Sequence, residues 1–199
     1  RYFYNSYWRM IINSGTLRFD DVEIEISEDT NQGRISNGGT AIFNNVRIKG
    51  RNENTTYGGP LLDSYGTLSI ENSSINVKLS YEMIYNQSTL NIKDTTINGN
   101  YGIYNRGNLT LDHTSITTSN YVISSEVSGT INVKNISTLH STNANAVALR
   151  GSIKLNVIGE NTIISDNGIG ISLADSTTLN IGEIGGTPDT DTPYIEGTT

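Results

Sequence analysis

Residues Tyr101–Ile116, YGIYNRGNLTLDHTSI, hold most of one structural repeat, and the same pattern returns outward from Leu109 along the whole chain. The central apolar position recurs as Leu17, Ala41, Leu68, Leu90, Leu109, Ile131, Ile153 and Leu179, at steps of 19 to 27 residues. A sequence period between about 20 and 50 residues is the mark of a stacked repeat architecture.

The rows beside the centre give the repeat its shape. Two positions earlier stand Gly15, Gly39, Gly66, Ser88, Gly107, Gly129, Gly151 and Thr177, a mostly glycine row that suits corners at positive φ. Two positions later stand Phe19, Phe43, Ile70, Ile92, Leu111, Val133, Leu155 and Ile181. That alternation predicts a strand with one buried face. A second short strand is read from the rows at Val22, Val46, Ser73, Thr95, Thr114, Ile136, Ile158 and Ile184 and at Ile24, Ile48, Ile75, Ile97 and Ile116, after which the latter row fails. Between the two strands lie Asp21, Asn45, Asn72, Asp94, His113 and Asn135, residues that accept a left-handed bend.

A third row runs Ile11, Ile35, Leu62, Ile84, Ile103, Ser125, Val147 and Leu173. Asn13, Asn37, Ser64, Asn86 and Asn105 follow it two residues later, then Val127, Leu149 and Asp175. Strands this short are unstable alone, so like must stack on like, each strand pairing in parallel with its equivalent above and below. The expected fold is all-β: a right-handed, single-stranded parallel β-helix with three short strands per turn and about eight turns. The right hand is preferred because no hexapeptide repeat runs through the chain and parallel crossovers favour it. Asn13, Asn37, Asn86 and Asn105 are expected to form an inward amide ladder at one corner.

Gly66–Ile75, GTLSIENSSI, and Tyr101–Gly107, YGIYNRG, resemble repeats of secreted and surface-displayed right-handed β-helix proteins of bacteria and archaea. These include autotransporter passenger domains and adhesin-like cell-wall proteins. The tail from Thr178, TLNIGEIGGTPDTDTPYIEG, is similar to internal β-helix segments of Gram-positive surface proteins, where PYIEG would open a further turn. The resemblance implies an extracellular, cell-surface or cell-wall setting and a host glycan or extracellular protein as partner. It speaks for fold far more than for function, because one scaffold carries many activities.

Composition narrows the classes. The chain of 199 residues is read as one domain, 1–199, a fragment of a longer surface protein, with residues 1–14 a partial turn or cap and 185–199 a loop and the start of another turn. A net charge of −7 argues against a nucleic-acid partner, which would call for a basic stripe. No apolar run is long enough for membrane insertion of this fragment. The chain has no cysteine, so neither disulfides nor cysteine-based metal sites form. Five N-x-S/T triplets, starting at Asn54, Asn72, Asn86, Asn108 and Asn135, fit turn chemistry.

Several groups invite a functional reading. Tyr2, Phe3, Tyr4, Tyr7 and Trp8 are read as covering the open end of the column. The loops Ser27–Gly33 and Lys49–Tyr57 leave the same corner and form a candidate recognition edge. Asp29, Asn31 and Gly33, or Asp189 and Asp191, offer oxygens to calcium, but without a full ligand set, so no metal and no cofactor is assigned. Arg47-Ile48-Lys49 is similar to a short motif of pectin-hydrolysing β-helix enzymes, whose His-Gly pair this chain lacks. Register instead sets Glu23 against Arg47 and Glu25 against Lys49 as cross-strand ion pairs, and no catalytic residue is assigned.

The ligand-binding candidates are Tyr81, Tyr85, Tyr101, Tyr104 and Tyr121, which fall in three successive turns. Tyr85 and Tyr104 lie one residue past an inward row, so they should face outward and stack. The leading expectation is a non-catalytic adhesin-like module or rigid spacer. The alternative is a carbohydrate-active β-helix enzyme, a lyase or glycoside hydrolase, or its inactive relative. Lattice binding, as to ice, is set aside because the row Arg18, Ile42, Ser69, Asn91, Thr110, Asn132, Lys154, Asn180 is too mixed.

Overall fold

The computed structural model describes residues 9–26, 34–50, 59–174, 176–182 and 193–198. They form an all-β parallel solenoid with three strands per coil. One coil shows the plan: Ile84–Asn86 in sheet A, Thr89–Lys93 in sheet B and Thr96–Gly99 in sheet C. Among the described residues each sheet has eight strands, and each neighbouring pair is three positions apart in chain order. Pairing is parallel throughout, with Leu68, Leu90 and Leu109 in direct register. The regular winding amounts to about six turns rather than the expected eight. The first, second and last coils pass through residues 27–33, 51–58 and 183–192, which lie outside the described residues.

The inward rows make one continuous apolar column. Leu68, Leu90, Leu109 and Ile131 from sheet B are buried with Ile84, Ile103, Ile123 and Val147 from sheet A and Ile75, Ile97, Ile116 and Leu139 from sheet C. Near its start the Phe19 and Phe43 rings meet at 5.1 Å. At the other end the column opens into a cavity of about 350 Å³ between Ile171, Leu179 and Ile195.

Polar groups close the corners. Asp21, Asn45, Asn72, Asp94, His113 and Asn135 all adopt positive φ, between 47° and 58°, as their types suggest. The asparagine ladder forms between sheets A and B: Asn13 Nδ2 donates to Asn37 Oδ1 at 2.8 Å, and Asn86 Nδ2 to Asn105 Oδ1 at 2.7 Å. A hydroxyl ladder follows sheet B, where Thr95 and Thr114 donate to the Lys93 and Asp112 carbonyls and Ser137 Oγ accepts from the Thr114 amide. A third follows sheet C, through Thr118, Ser141 and Ser165. The two hydroxyl ladders depart from expectation: Ser73, Thr95 and Thr114 are buried corner groups rather than strand residues.

The glycine row has a different cause from the one expected. Gly39, Gly66, Gly107 and Gly129 are not at positive φ. A Cβ at each would lie 2.0 to 2.3 Å from the carbonyl oxygen of the residue one coil earlier. The requirement is therefore close backbone approach along the axis. Gly151 does adopt φ 94°, but it stands outside the row.

Register also corrects the rows of the last three coils. Ile131 pairs with Leu155, and Leu155 with Leu179, so Leu155 rather than Ile153 is the central residue. The spacing there is an even 24 residues, as the stacked side chains Asn132, Asn156 and Asn180 show. In sheet A, Ile103 pairs with Ile123, and Val147 with Ile171, so Ser125 and Leu173 leave the inward row that was expected to hold them. The sheet C row does not fail after Ile116; it continues through Leu139, Ile163 and Ile195. The cause of that shift is one added residue at the corner, where Asn135 and Ile136 both take positive φ.

Candidate functional site

Sheet A presents an outward row one residue past its buried row: Ile12, Ser36, Asp63, Tyr85, Tyr104, Ser124, Ala148 and Ser172. Strand alternation sends these side chains away from the column. Tyr85 and Tyr104 stack with ring centroids 5.1 Å apart and planes 5° from parallel. That separation is close to the strand spacing of about 4.8 Å, so the sheet itself sets the stack. Both rings are half-buried. Burial, then the nearby Glu126 carboxylate, pushes the Tyr104 phenol above its ordinary value. The Tyr104 hydroxyl therefore stays protonated around neutral pH.

The remaining tyrosines sit elsewhere. Tyr81, Tyr101 and Tyr121 lie in the corner that leads into sheet A; Tyr101 and Tyr121 are each two residues before the paired Ile103 and Ile123. Tyr81 and Tyr121 are exposed and Tyr101 is half-buried. The five expected residues thus divide into a stacked pair on the sheet and three rings on its leading edge.

The trailing edge of sheet A carries a second row that sequence reasoning did not pick out. Tyr65, Gln87, Arg106, Glu126 and Arg150 each follow the ladder corner, one per coil. Arg106 Nη1 donates to the Tyr85 hydroxyl at 3.1 Å. That bond, and then the partial charge of the phenol, holds the guanidinium above its usual pKa. Arg150 Nη1 lies 4.0 Å from Glu126 Oε1. Part of the signal was present in the sequence: adding one to the ladder row names Tyr65, Gln87, Arg106 and Arg150, but Glu126 emerges only once the register puts Ser125 in place of Val127.

Asp63 was also missed. It stands next to Tyr85 in the outward row, yet its side chain is fully buried, where its Oδ2 accepts from Arg34 Nη2. Asp63 Oδ1 and Arg34 Nε have no hydrogen-bond partner among the described residues.

On sheet C the acids expected to pair do so. Lys49 Nζ lies 2.6 Å from Glu23 and 3.6 Å from Glu25, and Arg47 Nη1 lies 3.5 Å from Glu23. Asp20 is held by Arg18. Each histidine meets a carboxylate, His113 with Asp112 at 3.1 Å and His140 with Asp166 at 2.9 Å. Among the described residues no three His, Cys, Asp or Glu side chains converge as a metal site would require. The Ser27–Gly33 loop, most of Lys49–Tyr57, the aromatics at Tyr2–Trp8 and Asp189 with Asp191 lie outside the described residues.

The chain matches no protein-family model, no curated protein and no solved structure.

Proposed function

We propose that this solenoid is a non-catalytic binding module of an extracellular, adhesin-like surface protein, and that the outward face of sheet A is where it holds its ligand. The stacked Tyr85–Tyr104 pair is the observation that carries this reading. The row shrinks to Ser124 and Ala148 directly after Tyr104, so the far face of that ring turns toward a low floor. An aromatic face over a small polar floor suits the C–H face of a pyranose ring, with hydroxyls left to the side. Arg106 and Glu126 stand at that side and supply a cationic donor and an anionic acceptor. Recognition of this kind is non-covalent and uses a preformed surface, so little ordering cost attends binding.

The carboxylates that a hydrolytic reading would need are engaged in surface pairs with Arg18, Arg47 and Lys49, which favours binding over turnover. A glycan array read beside a lyase and hydrolase panel tests the proposal. Glycan binding that disappears in the Tyr85→Ala/Tyr104→Ala variant, with no turnover, supports it. Turnover of any polysaccharide favours the enzyme reading, and absence of any ligand leaves the rod as a spacer. Both results count against the tyrosine site.

A further inference from the structure

Arg106, Glu126 and Arg150 each stand two residues past the outward row of sheet A in three successive coils, on the trailing edge of the tyrosine face. All three are exposed. Their charges alternate: positive, negative, positive. Successive coils are about 4.8 Å apart, so the backbone positions of the two arginines are separated by two coil spacings, about 10 Å. A pyranose linked through opposite sides of its ring advances a glycan by close to one coil spacing per sugar. A glycan lying along this edge would therefore place about one sugar beside each of the three residues.

We infer that the edge selects a linear glycan in which a uronic acid alternates with an N-acetylated or otherwise donor-bearing sugar. This rests on the tyrosine-face reading above and specifies its ligand class. Carboxylates on every second sugar would meet Arg106 and Arg150, each a planar fork suited to a carboxylate. Arg106 spends one N–H on the Tyr85 hydroxyl and keeps others for the ligand. The sugar between them meets Glu126, an acceptor that welcomes an N–H or O–H and repels a third carboxylate. A glycan charged on every sugar would set one carboxylate against Glu126; an uncharged glycan would leave both arginines unused. The alternation thus discriminates by repulsion as well as attraction.

The test measures binding of three size-matched hexasaccharides to the whole chain by calorimetry: one of hyaluronan, with alternating uronates, one of chitin, with none, and one of polygalacturonate, charged at every sugar. The hyaluronan fragment should bind roughly 10-fold more tightly than the other two, as loss of one charge-assisted hydrogen bond would give. Arg106→Gln/Arg150→Gln should remove that advantage with an unchanged unfolding midpoint, and Glu126→Gln should raise affinity for the polygalacturonate fragment. Equal or tighter binding of the chitin fragment, or hyaluronan binding indifferent to the paired arginine variant, overturns the inference. In either case, binding that still vanishes in Tyr85→Ala/Tyr104→Ala leaves the tyrosine face standing. No binding of any fragment to the unaltered chain removes both.

Discussion

The Asn86 side-chain amide donates to the Asn105 side-chain oxygen at 2.7 Å, and neither residue meets solvent. Asn86 Nδ2 also reaches the Asn108 carbonyl at 3.1 Å, and Asn105 Nδ2 the Gly107 carbonyl at 2.8 Å. The two amides thus tie two successive corners together in a medium that offers no water as substitute. Asn105→Ala should lose about 1–3 kcal/mol, since a buried partner is removed and others are left under-bonded. Urea unfolding followed by circular dichroism gives the measurement, and a midpoint equal to that of the unaltered chain would contradict the ladder's role.

Ser125 takes the next place after Asn105, and its buried hydroxyl finds no partner among the described residues. Beyond it the row becomes apolar at Leu149. Removing an unsatisfied polar group should be neutral or favourable, so Ser125→Ala is expected within about 0.5 kcal/mol of the unaltered chain or above it. The same urea experiment decides: a loss beyond about 1 kcal/mol means the hydroxyl has a partner.

Gly107 and Gly15 form a controlled comparison. A Cβ on Gly107 would lie 2.0 Å from the Ser88 carbonyl oxygen, while one on Gly15 would meet nothing within 4 Å. The obstacle at Gly107 is backbone of the corner below, held by the Asn108 amide's bond to the same Ser88 carbonyl at 2.7 Å, and it cannot swing away as a side chain can. Gly107→Ala should cost about 3 kcal/mol or more, at or above the range for overpacking, and Gly15→Ala about 0.5 kcal/mol or less. Equal midpoints for the two variants would refute the close-approach explanation of the glycine row.

Ile136 combines φ 58° with 61% exposure. A β-branched side chain in the left-handed region clashes with its own backbone, and this one recovers little by burial. Asn accepts that conformation, as Asn135 beside it does. Ile136→Asn is expected to stabilise the chain by about 1 kcal/mol. Thermal unfolding measures it, and a clear fall in the midpoint would mean that Ile136 supports the corner through contacts.

Acid should loosen the first coils through Glu23. Its hydrogen bond to Lys49, then the charges of Lys49 and Arg47, hold its carboxyl below the ordinary range. A carboxyl depressed on folding stabilises above its unfolded value, and that contribution is lost as pH falls through the folded value. Asp112 acts in the same sense: burial pushes it up, but bonds from Asn135 and His113 outweigh this and leave it lowered. Stability should therefore decline on acidification through the carboxylate range. Lys49→Met should flatten that decline, and identical pH profiles for the two proteins would show that the pair is not coupled to folding.

The stack of Tyr85 on Tyr104 was legible because both the inward row and the rule of alternation were legible. The asparagine ladder and the six left-handed corners were legible for a related reason: residue type at a recurring position states its own local chemistry. Arg106 and Arg150 were recoverable by counting one past the ladder row, but corner residues of mixed type carry no visible pattern until their neighbours are known, and Glu126 was hidden because the row was read through Val127 where the register places Ser125. Asp63 gave no signal, since an acid in an outward row reads as solvated until the structure shows it buried against Arg34.

The sequence by itself determined that the chain stacks in parallel, three strands to a coil, because repeated apolar rows can be buried no other way. It could not decide between Ile153 and Leu155 as the central residue of the coil that stacks on Ile131. A slip of two residues keeps every side chain on its own face, so alternation is blind to it. The backbone hydrogen bonds to the coils on either side are what chose Leu155. They likewise absorbed the extra residue at Ile136 and drew Leu139 into the column, and they set which side chains of neighbouring coils touch.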